Sequence, residues 1–270
     1  MVPQGKIIKL IFLFLAVFLN YSTAGADDKW EETHSRHFFI YYKDAPADFV
    51  QNVEEAAENY YDEITRNLGF SRYEPWSYEE RAKIYIYQDQ QDYINSSQQY
   101  GWSHGAANAR QKTIRTFPSA HGFFDSTLPH ELGHIIFREM IGFYAEVPLW
   151  LDEGVAMFQE KAKRWGANTA VKQAMEQGSF LSLKQLSEIV LKQDTDPKMI
   201  DLFYAESASV VYFLITEFGQ YRFQGFCQEL KDGRPFEEAL NRSYSRFDSV
   251  DDFNKVWVDY VKKTGTVRNN

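Results

Sequence analysis

The chain has 270 residues, of which 44% are hydrophobic and 25% are charged. This composition is that of a soluble globular protein and excludes a fibrous or disordered one. The formal net charge of −9 argues against nucleic acid or an anionic lipid surface as a partner, because both are negatively charged. Cys227 is the only cysteine, which excludes an internal disulfide, and we interpret this residue as a buried small hydrophobic side chain.

The N-terminus predicts an export signal. Lys6 and Lys9 precede an apolar run, Leu10–Leu19, and the small residues of Ala24–Ala26 offer a cleavage site. Ten apolar residues are too few for the roughly 20 that span a bilayer, and we expect no second run of membrane length. We therefore predict a signal peptide over residues 1–26 and an exported protein, periplasmic or secreted, without stable membrane insertion. Its charge becomes −11, because the signal contains two lysines and no acid; retention as an anchor is the alternative.

Residues 27–125 are predicted to form a small α/β lobe. Two short runs, His37–Tyr42 and Ala82–Tyr87, are rich in β-forming residues, and the second alternates in polarity. Between them, Ala47–Leu68 has apolar residues at helical spacing and stops at a glycine. A loop with scattered Gly and Asn then leads to Thr113–Phe117, which we predict to be an edge strand.

Residues 126–270 are predicted to be almost entirely helical. The segment Asp125–Thr127 is expected to cap a helix over Leu128–Gly142, which has a proline in its first turn. A second helix is expected within Pro148–Gly166. Later helices are predicted at Ser182–Lys192, Asp201–Phe218, Tyr221–Lys231 and Val250–Lys263. The sequence has no repeat or long linker, so residues 27–270 are expected to form one domain whose two lobes pack on each other.

The segment His130–His134 has the sequence HELGH and matches the pattern HExxH. Residues four apart on a helix differ by about 40° around its axis, so both imidazoles project from one face and can share a metal ion. Glu131 lies about 60° from His134 on the same side, which suits a base for a bound water and not a ligand. The pattern arises by chance in about one chain in a hundred of this composition, so it does not establish a site alone.

Glu153 is the predicted third ligand. It follows His134 after 18 residues, within the segment WLDEGVA. Its apolar neighbours predict a buried setting, where a carboxylate needs a partner such as a metal; a solvated surface acid is the alternative. Catalytic zinc usually has three protein ligands and a fourth position for water. We therefore predict one Zn²⁺ per chain, bound by His130, His134 and Glu153.

These two segments and the gap between them resemble the gluzincin branch of the MA clan of metallopeptidases, especially the aminopeptidase-N-like family with its WLNEG segment. The segment Phe203–Leu214 is similar to the helix that follows the zinc site in small bacterial members of the clan. The resemblance covers roughly residues 100–220 and implies the thermolysin-like zincin fold, of the α+β class. This fold has a small N-terminal α/β lobe with a mixed sheet whose edge strand binds substrate, an HExxH helix and a mostly helical C-terminal lobe.

The resemblance also implies hydrolysis of peptide bonds in a peptide or protein substrate, with Glu131 activating a zinc-bound water. Related enzymes stabilise the oxyanion with a His or Tyr that follows the third ligand. Because no histidine follows His134, Tyr204 is the candidate, and packing in the core is the alternative. Asp152 and Glu206 are considered as partners that orient the histidines, and the sequence does not decide between them.

The segment Gly105–Ala109 bears on where a substrate would be cut. The resembling aminopeptidases carry a GAMEN segment there, whose glutamate binds the N-terminal ammonium of the substrate. This chain has GAANA, so a buried ammonium would lack its counter-charge, whereas backbone pairing with an extended peptide needs no terminus. We therefore predict an endopeptidase. The alternatives are an aminopeptidase in which Glu206 supplies the charge, an inactive zinc-binding scaffold, which retention of Glu131 argues against, and an interaction protein with an accidental motif.

Overall fold

The computed structural model describes residues 29–70, 76–97, 106–118, 120–192 and 194–264. The predicted signal over residues 1–26 lies outside the described residues and stays a prediction. The elements, in chain order, are β1 (Glu31–His34), β2 (Phe38–Tyr42), α1 (Ala47–Asn67), β3 (Ala82–Ile86), α2 (Gln90–Ser97), β4 (Ala106–Asn108), β5 (Thr113–Thr116), α3 (Leu128–Ile141), α4 (Leu149–Gln159), α5 (Lys161–Gln177), α6 (Leu183–Glu188), α7 (Pro197–Phe218), α8 (Gln220–Lys231), α9 (Phe236–Ser243) and α10 (Val250–Thr264).

The N-terminal lobe contains one mixed sheet with the strand order β1-β2-β3-β5-β4. Strands β2, β3 and β5 run parallel, whereas β1 and β4 pair antiparallel with β2 and β5. The predicted mixed sheet is therefore confirmed. The prediction that Thr113–Phe117 forms an edge strand was wrong, because β5 lies between β3 and β4, and the edges among the described strands are β1 and β4. The Ala-Ala-Asn sequence of β4 has little β-propensity of its own, so this strand depends on its hydrogen bonds to β5.

Helix α1 packs its apolar stripe onto the sheet and onto α3. Its buried side chains recur at helical spacing, at Val50, Val53, Ala57, Tyr61 and Ile64. Strand β3 alternates in the complementary way, with its first, third and fifth side chains buried. The helix has nearly the predicted bounds, since it begins at Ala47 and Leu68 caps it. This packing places α3 against the sheet lobe.

A single π-helical turn, Phe123–Thr127, leads into α3. The prediction that Asp125–Thr127 caps α3 was wrong, because Thr127 has helical backbone angles and makes no side-chain capping hydrogen bond. The Ser126 hydroxyl instead donates a hydrogen bond to Glu160, at the end of α4. Helix α3 ends where the sequence predicts, at Gly142, whose φ of 93° is one that glycine adopts readily.

The segment after Pro148 forms two helices, where the sequence analysis predicted one. Helix α4 ends at Gln159, Glu160 has the extended angles φ −79° and ψ 103°, and α5 begins at the next residue. Gly166, the predicted stop, lies inside α5 in an exposed position, where glycine costs only about 1 kcal/mol relative to alanine. At the break, the Glu160 carboxylate meets His130 of α3.

Helix α7 is the central helix of the C-terminal lobe and packs against both α4 and α5. Asp196 caps its N-terminus by accepting a hydrogen bond from the Lys198 backbone, so the helix begins before the predicted Asp201. By length and composition it is the one described helix that could cross a membrane, but 56% of its apolar stretch is buried inside the fold. The sequence-based expectation that no second segment is long and apolar enough to cross a membrane was therefore wrong, because this helix meets both criteria. Its burial is that of a core helix.

One hydrophobic core joins the two lobes. It includes Phe38 and Ile84 of the sheet, Leu132 of α3 and Trp257 of α10, all without exposed surface. Cys227 is buried in the same cluster, as predicted. The predicted α+β class, with a small sheet lobe followed by helices, is confirmed. Strands β1 and β4 and helices α2 and α9 were not predicted from the sequence, and α6 is shorter than predicted.

Candidate active site

The three predicted metal ligands converge between α3 and α4. His130 and His134 project from one face of α3, and their Nε2 atoms lie 3.2 Å apart. The Oε2 atom of Glu153, on α4, lies 3.6 Å from each of these nitrogens. The three side chains are partly buried and form a group that could hold a metal ion. Residues that the sequence analysis selected from two separate motifs are therefore neighbours in space.

The triangle of ligand atoms has the dimensions of a tetrahedral site. Ligand atoms about 2.0–2.1 Å from a tetrahedral zinc ion lie roughly 3.3–3.4 Å from one another. The separations here, 3.2, 3.6 and 3.6 Å, lie on either side of that value. Two imidazole nitrogens and one carboxylate oxygen are a donor set of catalytic zinc sites, which keep a fourth position open. The donor set and its spacing therefore fit this ion.

Each imidazole is held through its other ring nitrogen. The Nδ1 atom of His134 lies 3.1 Å from Oδ1 of Asp152, and the Nδ1 atom of His130 lies 3.0 Å from Oε1 of Glu160. An ionised carboxylate only accepts hydrogen bonds, so each Nδ1 atom must be the donor. The Nε2 lone pairs of both rings are then directed at the shared metal position.

The orienting carboxylates are themselves held in place. Arg138 donates from Nε and Nη2 to Oδ2 of Asp152, at 2.8 and 2.7 Å, and from Nη1 to the carbonyl oxygen of Ala145. Ser126 donates to Glu160, whose side chain is almost fully buried. Rotation of either carboxylate away from its histidine would also break its hydrogen bonds to Arg138 or Ser126. These contacts therefore fix the orientations of the two imidazole rings.

Of the two acids considered from the sequence as partners that orient the histidines, Asp152 has this position and Glu206 does not. Asp152 contacts a histidine, whereas the Glu206 carboxyl accepts a hydrogen bond from the Leu181 backbone at 2.9 Å. Glu160 was not predicted from the sequence, although an acid seven residues after Glu153 would lie on the same face of a continued helix. Ser126 was not predicted either, because nothing local relates a serine ahead of α3 to the end of α4.

The charges of the cluster stabilise one another. Burial lowers the pKa of His130, but hydrogen bonds to Glu153 and Glu160 raise it to about 9. Burial also lowers the pKa of His134, and hydrogen bonds to Asp152 and Glu153 raise it to about 10. Burial raises the pKa of Glu153, but the two histidines lower it to about 2. The carboxylates therefore favour positive charge at the ring nitrogens, which either protons or a metal cation can supply.

Both predicted catalytic residues are affected by the charges of the cluster. Burial raises the pKa of Glu131, and the nearby histidines oppose that rise. Burial also raises the pKa of the Tyr204 hydroxyl, on α7, to about 12, and the charges of Glu153, Glu131 and Glu160 add to the rise. The Tyr204 side chain is partly buried and packs against a small cluster that contains Met157, which follows Glu153 by four residues on α4. Tyr204 is therefore not fully enclosed in the core, and its catalytic role stays a prediction.

Two glycines allow the helices of the site to approach each other closely. At Gly154, next to the third ligand, an added Cβ atom would lie 2.4 Å from the carbonyl oxygen of Ser207 on α7. At Gly133, between the histidines, it would lie 3.0 Å from the Cα atom of Ala156 on α4. Both glycines belong to the motifs of the sequence analysis, which gave no reason for them. The reason is steric, because a side chain at either position would separate the helices that carry the ligands.

The edge strand lies beside the helix that carries the histidines. Ala106–Asn108 form β4, which contacts α3, while Gly105 lies outside the described residues. The Asn108 side chain accepts a hydrogen bond from the Gln111 backbone at 3.0 Å, so it caps the next turn. The segment therefore places backbone groups, and no carboxylate, next to α3.

Two histidines on an HExxH helix and a glutamate on the following helix define a site of the metallopeptidase type. A family model described as the Peptidase MA superfamily matches residues 76–263, which include all of these side chains. The chain therefore belongs to the peptidase MA superfamily, and the resemblance predicted from the two motifs is confirmed at this level. No match was found among curated proteins.

Proposed function

We propose that this protein is an exported, zinc-dependent endopeptidase. The observation that carries the proposal is the set of three ligand atoms from His130, His134 and Glu153, which lie 3.2 to 3.6 Å apart. Membership of the peptidase MA superfamily supports a metallopeptidase-like domain. The orienting contacts from Asp152 and Glu160 support a resident metal, because they point a pair of Nε2 lone pairs at one position.

A zinc ion bound by these ligands would polarise the scissile carbonyl group and lower the pKa of a coordinated water to about 7. In the proposed reaction Glu131 accepts a proton from the attacking water and delivers it to the leaving amine. A raised pKa makes this carboxylate a better proton acceptor than an exposed glutamate. Tyr204 donates a hydrogen bond to the oxygen on which negative charge develops. With a pKa of about 12, its hydroxyl is protonated at neutral pH and available as a donor.

The edge strand supports cleavage within chains. Strand β4 lies beside α3, and the outer edge of this strand has no partner among the described strands, so an extended substrate could add to the sheet there. The sequence of this strand provides no acid for a terminal ammonium, and Glu206, the alternative source of that charge, has 0% of its surface exposed. An aminopeptidase would therefore need an acid from elsewhere. The proposal that the protein is exported is supported only by the signal-like sequence of residues 1–26.

The first experiment separates a working enzyme from an inactive scaffold. We would measure the zinc content and the hydrolysis of a quenched fluorescent peptide for the wild type, Glu131→Gln and the control Glu176→Gln, which changes an exposed glutamate on α5. We expect about one zinc per chain in all three proteins. Loss of the general base should reduce the rate by about 10² to 10⁴-fold in Glu131→Gln only. A protein without zinc would refute the metal assignment, and zinc without hydrolysis by the wild type would identify a scaffold.

A second experiment tests the position of cleavage. Matched peptides with free or acetylated N-termini would be incubated with the wild type, and the products would be identified by mass spectrometry. We expect both forms to be cut at the same internal bonds and at similar rates. Release of single residues from the free peptide, with little turnover of the acetylated one, would establish an aminopeptidase instead.

A further inference from the structure

Arg110 presents a positive charge at one end of the edge strand β4. It lies in the 3₁₀ turn Ala109–Gln111, which follows β4 and leads into β5. The Asn108 side chain caps this turn, and both β4 and the turn contact α3. An extended peptide advances about 3.3 Å per residue. A peptide that adds to the outer edge of β4 would therefore reach the turn within a few residues of Asn108.

Two contacts with α3 hold the segments around this cation. The Nζ atom of Lys112, which ends the turn, lies 2.7 Å from Oε1 of Glu139. The loop between α3 and α4 is held by Arg138, whose Nη1 atom donates to the carbonyl oxygen of Ala145 at 3.0 Å. Arg138 and Glu139 follow His134 by four and five residues, which is about 6–7.5 Å along the helix axis. The turn is therefore attached to α3 about one and a half helical turns beyond the second candidate ligand.

The Arg110 guanidinium is oriented but not neutralised. Its Cζ atom lies 5.0 Å from the centroid of the Tyr144 ring, in the loop between α3 and α4, and Nη2 donates a hydrogen bond to the Tyr144 hydroxyl. These are its polar and ring contacts among the described residues, and neither is with a carboxylate. Both side chains are exposed. A guanidinium has five N–H donors, so most of them remain available to an incoming anion.

The surroundings favour a carboxylate as that anion. The chain has a formal net charge of −9, so its surface repels carboxylates in general. An exposed cation that pairs with no described carboxylate attracts them at one place. A carboxylate also matches the planar guanidinium, because its two oxygens can accept two parallel N–H bonds. A substrate cation at the same place would be repelled.

We propose that Arg110 determines substrate specificity by binding a carboxylate of the peptide, about two or three residues from the bond that is cut. The proposal rests on the proposed peptidase function, because it concerns the same substrate. The ring and hydroxyl of Tyr144 orient the guanidinium at the end of the edge strand. Binding of the carboxylate fixes the register of an extended peptide on β4, and so decides which bond lies at the metal.

The first test measures binding in the Glu131→Gln protein with zinc added, so that the result does not depend on turnover. The probes are labelled peptides of alanine and serine, acetylated and amidated at their ends, with one Glu or one Gln at the same central position. Fluorescence anisotropy should show that the Glu peptide binds about 5-fold more tightly, which is the upper range for an ion pair at an exposed position.

Three further substitutions in this parent protein identify the group responsible. Arg110→Gln should abolish the difference between the Glu and Gln peptides, and Arg110→Lys should keep part of it, because the charge is kept and the planar fork is lost. The matched control is Arg246→Gln, at an exposed arginine between α9 and α10, which should keep all of it. Circular dichroism should show the same fold for all four proteins, because both arginines are exposed.

The second test uses hydrolysis by the wild type. Moving the Glu along the peptide one residue at a time should move the cut by the same number of residues, as mass spectrometry of the products would show. Moving a Gln should leave the cuts where they are. A parallel set of peptides, with no Glu and with free or amidated C-termini, distinguishes the two sources of a carboxylate, a side chain and the C-terminus of the substrate.

A preference for Glu that survives Arg110→Gln would overturn the assignment, and so would equal affinity for both peptides in the parent. These outcomes are distinct from failure of the proposed function. A carboxylate preference that depends on Arg110, combined with a wild type that hydrolyses no peptide, would support the carboxylate site and refute the peptidase. Hydrolysis of the Glu and Gln peptides at the same bonds and at equal rates would do the reverse.

Discussion

Replacing Gly154 by alanine tests how closely α4 must approach α7. The added Cβ would lie 2.4 Å from the carbonyl oxygen of Ser207, 2.8 Å from Cγ2 of Val211 and 2.9 Å from the carbonyl carbon of Ser207. Ordinary contacts of this kind are about 3.5 Å or longer, so the helices would have to separate by roughly 1 Å. The close partner is backbone and cannot rotate away. Because Glu153 precedes Gly154, the same displacement would shift the predicted third ligand relative to the histidines on α3.

The magnitude follows from two opposing contributions. Overpacking of a well-packed interface typically costs about 1–3 kcal/mol, and we expect the upper end here because the clash is with backbone. The change from glycine to alanine raises the unfolding free energy by up to about 1 kcal/mol, because alanine has the higher helix propensity. The net loss of unfolding free energy is therefore about 2 kcal/mol, or roughly 4–8 °C in Tm for a chain of this size.

The assay compares Gly154→Ala with Gly225→Ala, whose added methyl meets nothing within 4 Å. Urea unfolding followed by circular dichroism, with a chelator present, removes any contribution of bound metal to stability. We expect Gly225→Ala to gain about 0.5–1 kcal/mol and Gly154→Ala to lose about 2 kcal/mol. Zinc affinity, measured separately by competition with a chromophoric chelator, should fall only in Gly154→Ala. Equal stability of the two variants would refute the steric reasoning.

Three further predictions concern single side chains. Tyr204→Phe should lower kcat by roughly 10²-fold with a smaller change in KM, because an oxyanion donor acts in the transition state; steady-state kinetics showing an unchanged kcat would contradict this role. Glu160→Gln should weaken zinc binding by about 10- to 100-fold while the folded circular dichroism spectrum is kept, and unchanged affinity would mean that His130 needs no partner. Burial raises the pKa of Glu206 above its ordinary value of 4.5 to about 8, so the folded state keeps a proton that the unfolded state releases, and stability falls as the pH rises from about 4.5 to 8. Glu206→Gln should therefore match the wild type near pH 4.5 and exceed it by roughly 3 kcal/mol at pH 7; unfolding curves with the same difference at both pH values would exclude a buried neutral acid.

The sequence was most informative where a local signal coincides with a local cause. Helix α3 has nearly its predicted bounds, because Pro129 suits a first turn and Gly142 adopts a positive φ. The three candidate metal ligands could be named in advance, because helical periodicity relates the two histidines and the WLDEG segment marks the third residue. Within each motif the residues that carry the signal lie within a few positions of one another.

The errors arise where distant contacts decide. Glu160 is a good helix former, and the break there coincides with side-chain contacts to Ser126 and His130 that only the folded chain provides. Gly166 looked like a terminator, although one exposed glycine does not offset the packing that holds α5 against α7. The edge was assigned to β5 because β4 has only three residues and little strand propensity. Strand order depends on pairing, which periodicity does not report.

The break between α4 and α5 has a consequence for how the site assembles. Residues 126–160 contain both histidines, the third ligand and the three hydrogen-bonding groups Ser126, Asp152 and Glu160. The side chains of the candidate metal site therefore all come from one contiguous stretch of chain, and α7 contributes to the site as a support behind Gly154. During synthesis every ligand would emerge before α7 does, so a cation could meet a complete set of donors before the core behind them has formed. The order of events, metal first or α7 first, would then decide whether the ion guides folding or occupies a finished site.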